Sequence, residues 1–232
     1  MKTLLSVENI DAFYGSAHIL HRMRLQVSAG ERVALIGRNG VGKTTLVNAV
    51  LGLATVRAGA IRFGDKPIKQ PRPYMAVNHG IGVVPQGRRI IANLSVAENL
   101  MLGSATRRPG PWNLDAVLRL FPILKERART PGTALSGGQQ QMLAIGRTLM
   151  ANPSLIILDE PTEGLAPVIV DQLADILNGV AAQGTALLLI EQNLSLVTRV
   201  AERYYAAAKG AVVAEGPLDA NSTQHLKEHI AA

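Results

Sequence analysis

The sequence has 232 residues, 47% of them apolar and 18% charged, which fits a soluble globular chain of one domain, or one domain with a lobe. It holds no cysteine, so a disulfide framework and a cysteine-ligated metal are excluded, and a cytosolic home is permitted. The net charge of +7 would suit nucleic acid or an anionic membrane, but the basic residues gather no more densely than pairs such as Arg88-Arg89 and Arg107-Arg108, and a solvated basic surface is the better reading.

The opening "MKTLLSVENID" is too short an apolar run for a signal peptide, with Glu8 and Asp11 interrupting it. No stretch approaches the roughly 18 apolar residues of a membrane span, so the chain is expected to be soluble by itself. "LLSVENIDAFYG" and "RMRLQV" alternate apolar and polar residues and predict strands, with "SAGE" as a turn. "RVALI" is a short buried strand, and from Lys43 a helical pattern runs through Leu46, Val47, Val50 and Leu51. "GAIRFGD" reads as a strand flanked by glycines, and "GIGVVPQ" as a buried strand ending at Pro85.

From about Gly87 to Met150 the apolar residues fall at helical spacing, which predicts a helical lobe. Leu114, Val117, Leu118 and Phe121 share a face, Pro122 ends that helix, and "TRRPGPWN" is a loop. Strand–helix alternation then returns. "LIILDEP" and "ALLLIEQ" are buried strands. Pro167 opens a helix through Ile169, Leu173, Ile176, Leu177 and Val180, and a short helix carries Leu194, Val197 and Val200. "YYAAAKGAVVAEG" predicts a hairpin turning at Lys209-Gly210, and "ANSTQHLKEHIAA" a short polar helix. Buried strands alternating with helices predict an α/β fold with a mainly parallel sheet wrapped on both faces.

Three stretches carry chemistry. "GRNGVGKTT", Gly37 to Thr45, fits G-x-x-x-x-G-K-[ST] between a strand and a helix, the context that a phosphate loop requires. Its glycines let backbone N–H groups wrap a phosphate chain, and the helix adds the positive end of its dipole. Gly37, Asn39, Gly40, Gly42, Lys43, Thr44 and Thr45 are the expected nucleotide-binding residues. Lys43 would reach the β- and γ-phosphates, and the Thr44 hydroxyl would bind Mg²⁺. "LIILDEP" sets Asp159 and Glu160 at the carboxyl end of a strand, where open α/β sheets bind ligands. Asp159 is expected to hold Mg²⁺ and Glu160 to orient or deprotonate the attacking water. In "ALSGGQQQ", Ser136 to Gln139 form a capping box at a helix start, and that start is an anion site through Ser136, Gly137 and Gly138.

With LSGGQ between the phosphate loop and the carboxylate strand, the sequence resembles the ATP-binding subunits of ABC transporters, from about residue 4 to about residue 218. The resemblance implies a P-loop NTPase core with an N-terminal antiparallel β subdomain and an inserted helical lobe. Residues 1–86 and 151–232 would form the nucleotide-binding core of one domain, and residues 87–150 the lobe. It implies that Ser136 to Gln139 close over the ATP of a second subunit. Tyr14 matches the aromatic residue that stacks on adenine, and Gln86 the glutamine that touches Mg²⁺ and senses the transport partner. Ala166 stands where the family usually has an aspartate, and Gln192 where it usually has the switch histidine. Glutamine can donate a hydrogen bond to a γ-phosphate but cannot carry a proton as histidine does. Lys43, Glu160 and Gln192 are the expected catalytic residues.

"EGLAP", "EQN" and "VPQGRRI" resemble one ATPase subunit of branched-chain amino acid importers, with relatives moving urea or short amides. That implies a second, different ATPase chain as partner, with a homodimer in isolation as the alternative. It also implies a membrane permease, an external binding protein acting indirectly, and a peripheral place on the cytoplasmic face of the membrane. A non-transport ATPase acting on nucleic acid is the rival of another class, and DNA stimulation of hydrolysis would favour it. A P-loop kinase leaves LSGGQ unexplained.

Overall fold

The computed structural model describes residues 2–219; the polar segment after them, read above as a helix, lies outside the described residues. The chain opens with two long strands, β1 (Thr3–Tyr14) and β2 (Ala17–Ser28), paired antiparallel. Then come β3 (Arg32–Ile36), α1 (Lys43–Val50), β4 (Thr55–Phe63), β5 (Lys66–Ile68), α2 (Pro73–Asn78) and β6 (Ile81–Val84). Four helices follow: α3 (Val96–Gly103), α4 (Leu114–Leu120), α5 (Pro122–Glu126) and α6 (Gly137–Leu149). The rest is β7 (Leu155–Asp159), α7 (Pro167–Ala182), β8 (Ala186–Glu191), α8 (Leu194–Val200), β9 (Arg203–Ala208) and β10 (Ala211–Pro217).

The strands make two sheets. One is antiparallel, in the order β2-β1-β4-β5; the other runs β10-β9-β3-β8-β7-β6. Within the second, β9, β3, β8, β7 and β6 are parallel and only β10 is antiparallel, so the mainly parallel core stands as expected. Side chains alternate across a strand, and that alternation divides the core between the sheet's two faces. Ala34, Ile36, Ile156, Leu158, Leu187 and Leu189 pack with α6, α7 and α8. Val33, Leu35, Leu155, Ile157, Leu188 and Ile190 pack with α1 and the antiparallel sheet. Burial on both faces is why these strands read as unbroken apolar runs.

Local chemistry sets the boundaries. Pro122 ends α4 as expected, and it also opens α5, because a fixed φ and a missing N–H suit a first helical turn. The β9–β10 hairpin turns at Lys209 and Gly210 with φ of 47° and 80°, the left-handed pair of a tight hairpin turn. One boundary differs. The sequence pattern puts Gly59 at the edge of a strand, but β4 begins earlier, at Thr55, and passes through it. The pairing of β1 with β4 shifts register between Glu8 and Asp11. A Cβ at Gly59 would lie 2.4 Å from the carbonyl oxygens of both Glu8 and Asn9. This glycine marks a bulge and close backbone approach, not a strand end.

Candidate nucleotide site

Four neighbouring parallel strands, β3, β8, β7 and β6, deliver their carboxyl ends to one place. Each end supplies one part of the site. The first is the loop from Gly37 to Gly42, which leads from β3 into α1. Gly42 takes the N-cap position with φ 101° and no side-chain cap, so the first N–H groups of α1 are left for a ligand. A Cβ there would stand 2.7 Å from Leu20 Cδ2, so the loop needs glycine for space as well as conformation. Lys43 Nζ is buried beneath the loop. It donates to the carbonyl oxygens of Gly37 at 2.8 Å and Arg38 at 3.0 Å, and it pairs with Glu160 Oε1 at 3.2 Å.

The β7 end supplies the carboxylates. Asp159 is 3% exposed and accepts a hydrogen bond from the Thr44 hydroxyl at 3.3 Å. Burial pushes its carboxyl up to about 6, against the Thr44 hydrogen bond, and the negative charges of Glu160 and Glu191 push the same way. The β6 end supplies Gln86. Its amide donates to Glu160 Oε2 and to Glu163 Oε2, each at 3.2 Å. The β8 end supplies Gln192, whose side chain is exposed and whose backbone N–H donates to Glu191 Oε2 at 3.0 Å.

Lys43, Thr44, Gln86, Asp159 and Glu160 are thus joined by direct contacts. Tyr14 is 42% exposed and its hydroxyl accepts from Asn48 Nδ2 at 2.6 Å, one helical turn beyond Thr44. Asn39 and Gly40 lie exposed on the loop, and Thr45 is buried. The segment from Ser136 to Gln139 stands apart. Its capping box forms as expected: Ser136 Oγ accepts from Gln139 N, and Ser136 N donates to Gln139 Oε1. Among the described residues, no hydrogen bond or ion pair joins Ser136, Gly137, Gly138 or Gln139 to the phosphate loop.

Asp159 feels the negative charges of Glu160 and Glu191 and the positive charge of Lys43, and Lys43 itself pairs with Glu160, so carboxylates outnumber ammonium groups around Asp159. The site's hard oxygen donors, the Thr44 hydroxyl and the Asp159 carboxylate, suit Mg²⁺, which takes one or two protein oxygens and fills its shell with water and phosphate. Among the described residues no cluster of three or more His, Cys, Asp or Glu that could hold a metal ion is found.

Sequence reasoning missed three participants. Glu163 shares the Gln86 amide with Glu160. Arg147 donates to the carbonyls of Arg88 and Arg89, which fixes the chain just after Gln86. Glu191 accepts four hydrogen bonds while 1% exposed. Its signal was present, since a charged residue closes the apolar run "ALLLI".

A phosphate loop facing two carboxylates across the ends of parallel strands defines a P-loop ATPase. The chain belongs to the ABC transporter family, whose model matches residues 20–163. Among relatives, it is 39% identical over 213 residues to the high-affinity branched-chain amino acid transport ATP-binding protein BraG of Pseudomonas aeruginosa, covering 90% of this chain and 91% of that one. It is 32% identical over 231 residues to the lipopolysaccharide export system ATP-binding protein LptB of Escherichia coli, covering 96% and 95%. A solved ATP-binding cassette of an ABC transporter, in its ADP conformation, superposes with a TM-score of 0.80 at 27% identity, covering 98% of this chain and 99% of that one. The protein is an ATPase of this family, whose subunits bind nucleotide and work as dimers with membrane permease components.

Proposed function

We propose that this chain powers an importer of branched-chain amino acids, as one of two different ATPase subunits on the cytoplasmic face of the membrane. Residues 1–86 and 151–232 serve as the nucleotide-binding core and residues 87–150 as the helical lobe. The observation that carries the mechanism is the contact set at the strand ends, which contains a phosphate cradle and a hydrolytic carboxylate but no contact with the chain's own Ser136–Gln139 segment. The likeness to BraG supports the substrate class.

ATP enters with its adenine on Tyr14 and its phosphates in the loop from Gly37 to Thr45. Lys43 exchanges its bond to Glu160 for the β- and γ-phosphates. Glu160, released, orients the attacking water and accepts its proton. Gln192 donates a hydrogen bond to the γ-phosphate. Mg²⁺ would be held by Thr44 and Asp159 with Gln86, and when bound it neutralises charge on the phosphate oxygens. The Ser136 hydroxyl and the N–H groups of Gly137 and Gly138 cap the nucleotide of the partner, and the partner returns the same contact. Hydrolysis turns that attraction into repulsion between product phosphates, and the dimer opens. A groove of about 690 Å³ lined by Leu51, Leu53, Pro73, Val77, Val83 and Gln86 offers an apolar seat for a permease helix beside Gln86.

The test is uptake into vesicles holding this chain with its native permease, companion ATPase and binding protein. Labelled leucine is expected to accumulate on ATP addition. Accumulation of urea or a short amide instead would move the assignment to that relative, and ATP-driven export of a lipid would overturn the importer reading, which the likeness to LptB makes the alternative to exclude.

A further inference from the structure

Parallel strands leave the loops at their carboxyl ends without a ladder between them. On β7 and β8 the pairing runs to Asp159 opposite Ile190, and Glu160 N adds one more bond, to Ile190 O at 2.9 Å. Beyond that point the two chains diverge, one toward Thr162 and the other toward Gln192. Glu191 spans the gap. One of its oxygens, Oε1, accepts from Thr162 N at 2.9 Å and from the Thr162 hydroxyl at 2.6 Å. The other, Oε2, accepts from Gln192 N at 3.0 Å and Asn193 N at 3.1 Å.

We propose that Glu191 is a positioning residue for ATP hydrolysis, its buried carboxylate clamping the turn that carries Glu160 to the turn that carries Gln192. The inference rests on the roles given above to those two residues.

Three observations support it. Glu191 is 1% exposed, and among the described residues no salt bridge to it forms, so its burial is compensated by hydrogen bonds alone. Both of its oxygens serve as acceptors, each for two donors; an amide of the same shape would turn N–H groups toward two N–H donors. Glu160 has φ 49°, a left-handed conformation that a long side chain keeps only where its surroundings hold it. Its neighbourhood is held by Ile190 O on one side and by Thr162 bound to Glu191 on the other. The four hydrogen bonds of Glu191 go to Thr162, Gln192 and Asn193, and none reaches the loop from Gly37 to Thr45. A loosened clamp therefore misplaces the hydrolytic groups and leaves the phosphate cradle intact.

The test compares steady-state hydrolysis with the Kd for a fluorescent ATP analogue in the assembled transporter. Glu191→Gln is expected to lower kcat by about tenfold or more, since small misplacements of reacting groups are costly, while Kd changes by less than about threefold. Thr162→Val, which removes only the hydroxyl, should lower kcat less, and Thr162→Ser should restore it. The double variant Glu191→Gln with Thr162→Val should be no slower than Glu191→Gln alone. A folded Glu191→Gln protein with wild-type kcat, or one whose nucleotide binding is lost in step with turnover, overturns the clamp. Should Glu191→Gln fail to fold, equal kcat in Thr162→Val, Thr162→Ser and wild type overturns it. Glu160→Gln is run beside these. If that variant turns over normally, the role of Glu160 itself has failed; if it is slow while Glu191→Gln is normal, only the clamp has failed.

Discussion

Lys43 lies between two sets of oxygens, the carbonyls of Gly37 and Arg38 and the carboxylate of Glu160. In the proposed mechanism the nucleotide competes with Glu160 for that ammonium, so Glu160 restrains binding before it assists hydrolysis. Glu160→Gln is accordingly expected to do two things. Turnover falls by about 100-fold or more, as loss of a general base does, and ATP binds more tightly. Equilibrium binding and single-turnover hydrolysis check both, and weaker binding in the variant would contradict the competition. Asp159 makes a second prediction. Its folded-state value of about 6 lies above the ordinary 3.8, so its contribution to stability is fully present below about 3.8 and is lost as pH rises through about 6. In protein free of nucleotide and magnesium, Asp159→Asn should therefore gain stability at pH 7.5, on the order of 2 kcal/mol, and that gain should vanish near pH 4. Urea denaturation at the two pH values measures it, and equal gains at both would contradict the burial of a strained charge.

The elements legible in the sequence were those with a strong local signal. β3 is legible with its observed bounds, and β7 and β8 with their observed starts but two residues and one residue too long at the carboxyl end, because both faces of those strands are buried and no polar residue breaks them. α6 announced itself through the Ser136 capping box, and the last hairpin through Lys209-Gly210. β5 and α2 passed unseen. Three residues of "KPI" carry no period, and α2 buries only Ala76 among its six residues. In the candidate site, Lys43, Thr44, Asp159 and Glu160 were legible because each sits in a local motif. Glu163 was not, since its bond to Gln86 joins residues 77 positions apart, and only the folded sheet brings them together. Gly59 shows the same limit, for its bulge belongs to the pairing of β1 with β4 and not to its own neighbours. Gly59→Ala should cost more than about 1 kcal/mol, because alanine is strained at φ 79° and its methyl would meet backbone oxygens. A thermal melt checks this; an unchanged midpoint would mean the strand relaxes without loss.

At the scale of the molecule, the strand ends that form the candidate site also border a groove. The groove beside Gln86 carries exposed Leu53 and Val77 on its lining, with exposed Tyr74 next to it. Gln86 reaches from that groove to Glu160 and Glu163, and Arg88 donates to the Glu163 carbonyl at 3.0 Å. In the proposed mechanism these bonds carry movement at the groove to Glu160 and to the turn that ends at Ala166. Placing a charge in the groove with Leu53→Asp should abolish the stimulation of hydrolysis by the permease, and stimulation at the wild-type level would remove the groove from that role. The signature helix start, meanwhile, points its capping box away from any bond with its own phosphate loop. In the proposed mechanism each catalytic centre is complete only when a second subunit brings that helix start to it. The most direct test is specific ATPase activity against protein concentration, with the oligomeric state read at every dilution. Activity is expected to fall toward zero as dimers separate. Full-rate hydrolysis in a fraction shown to be monomeric would contradict the account.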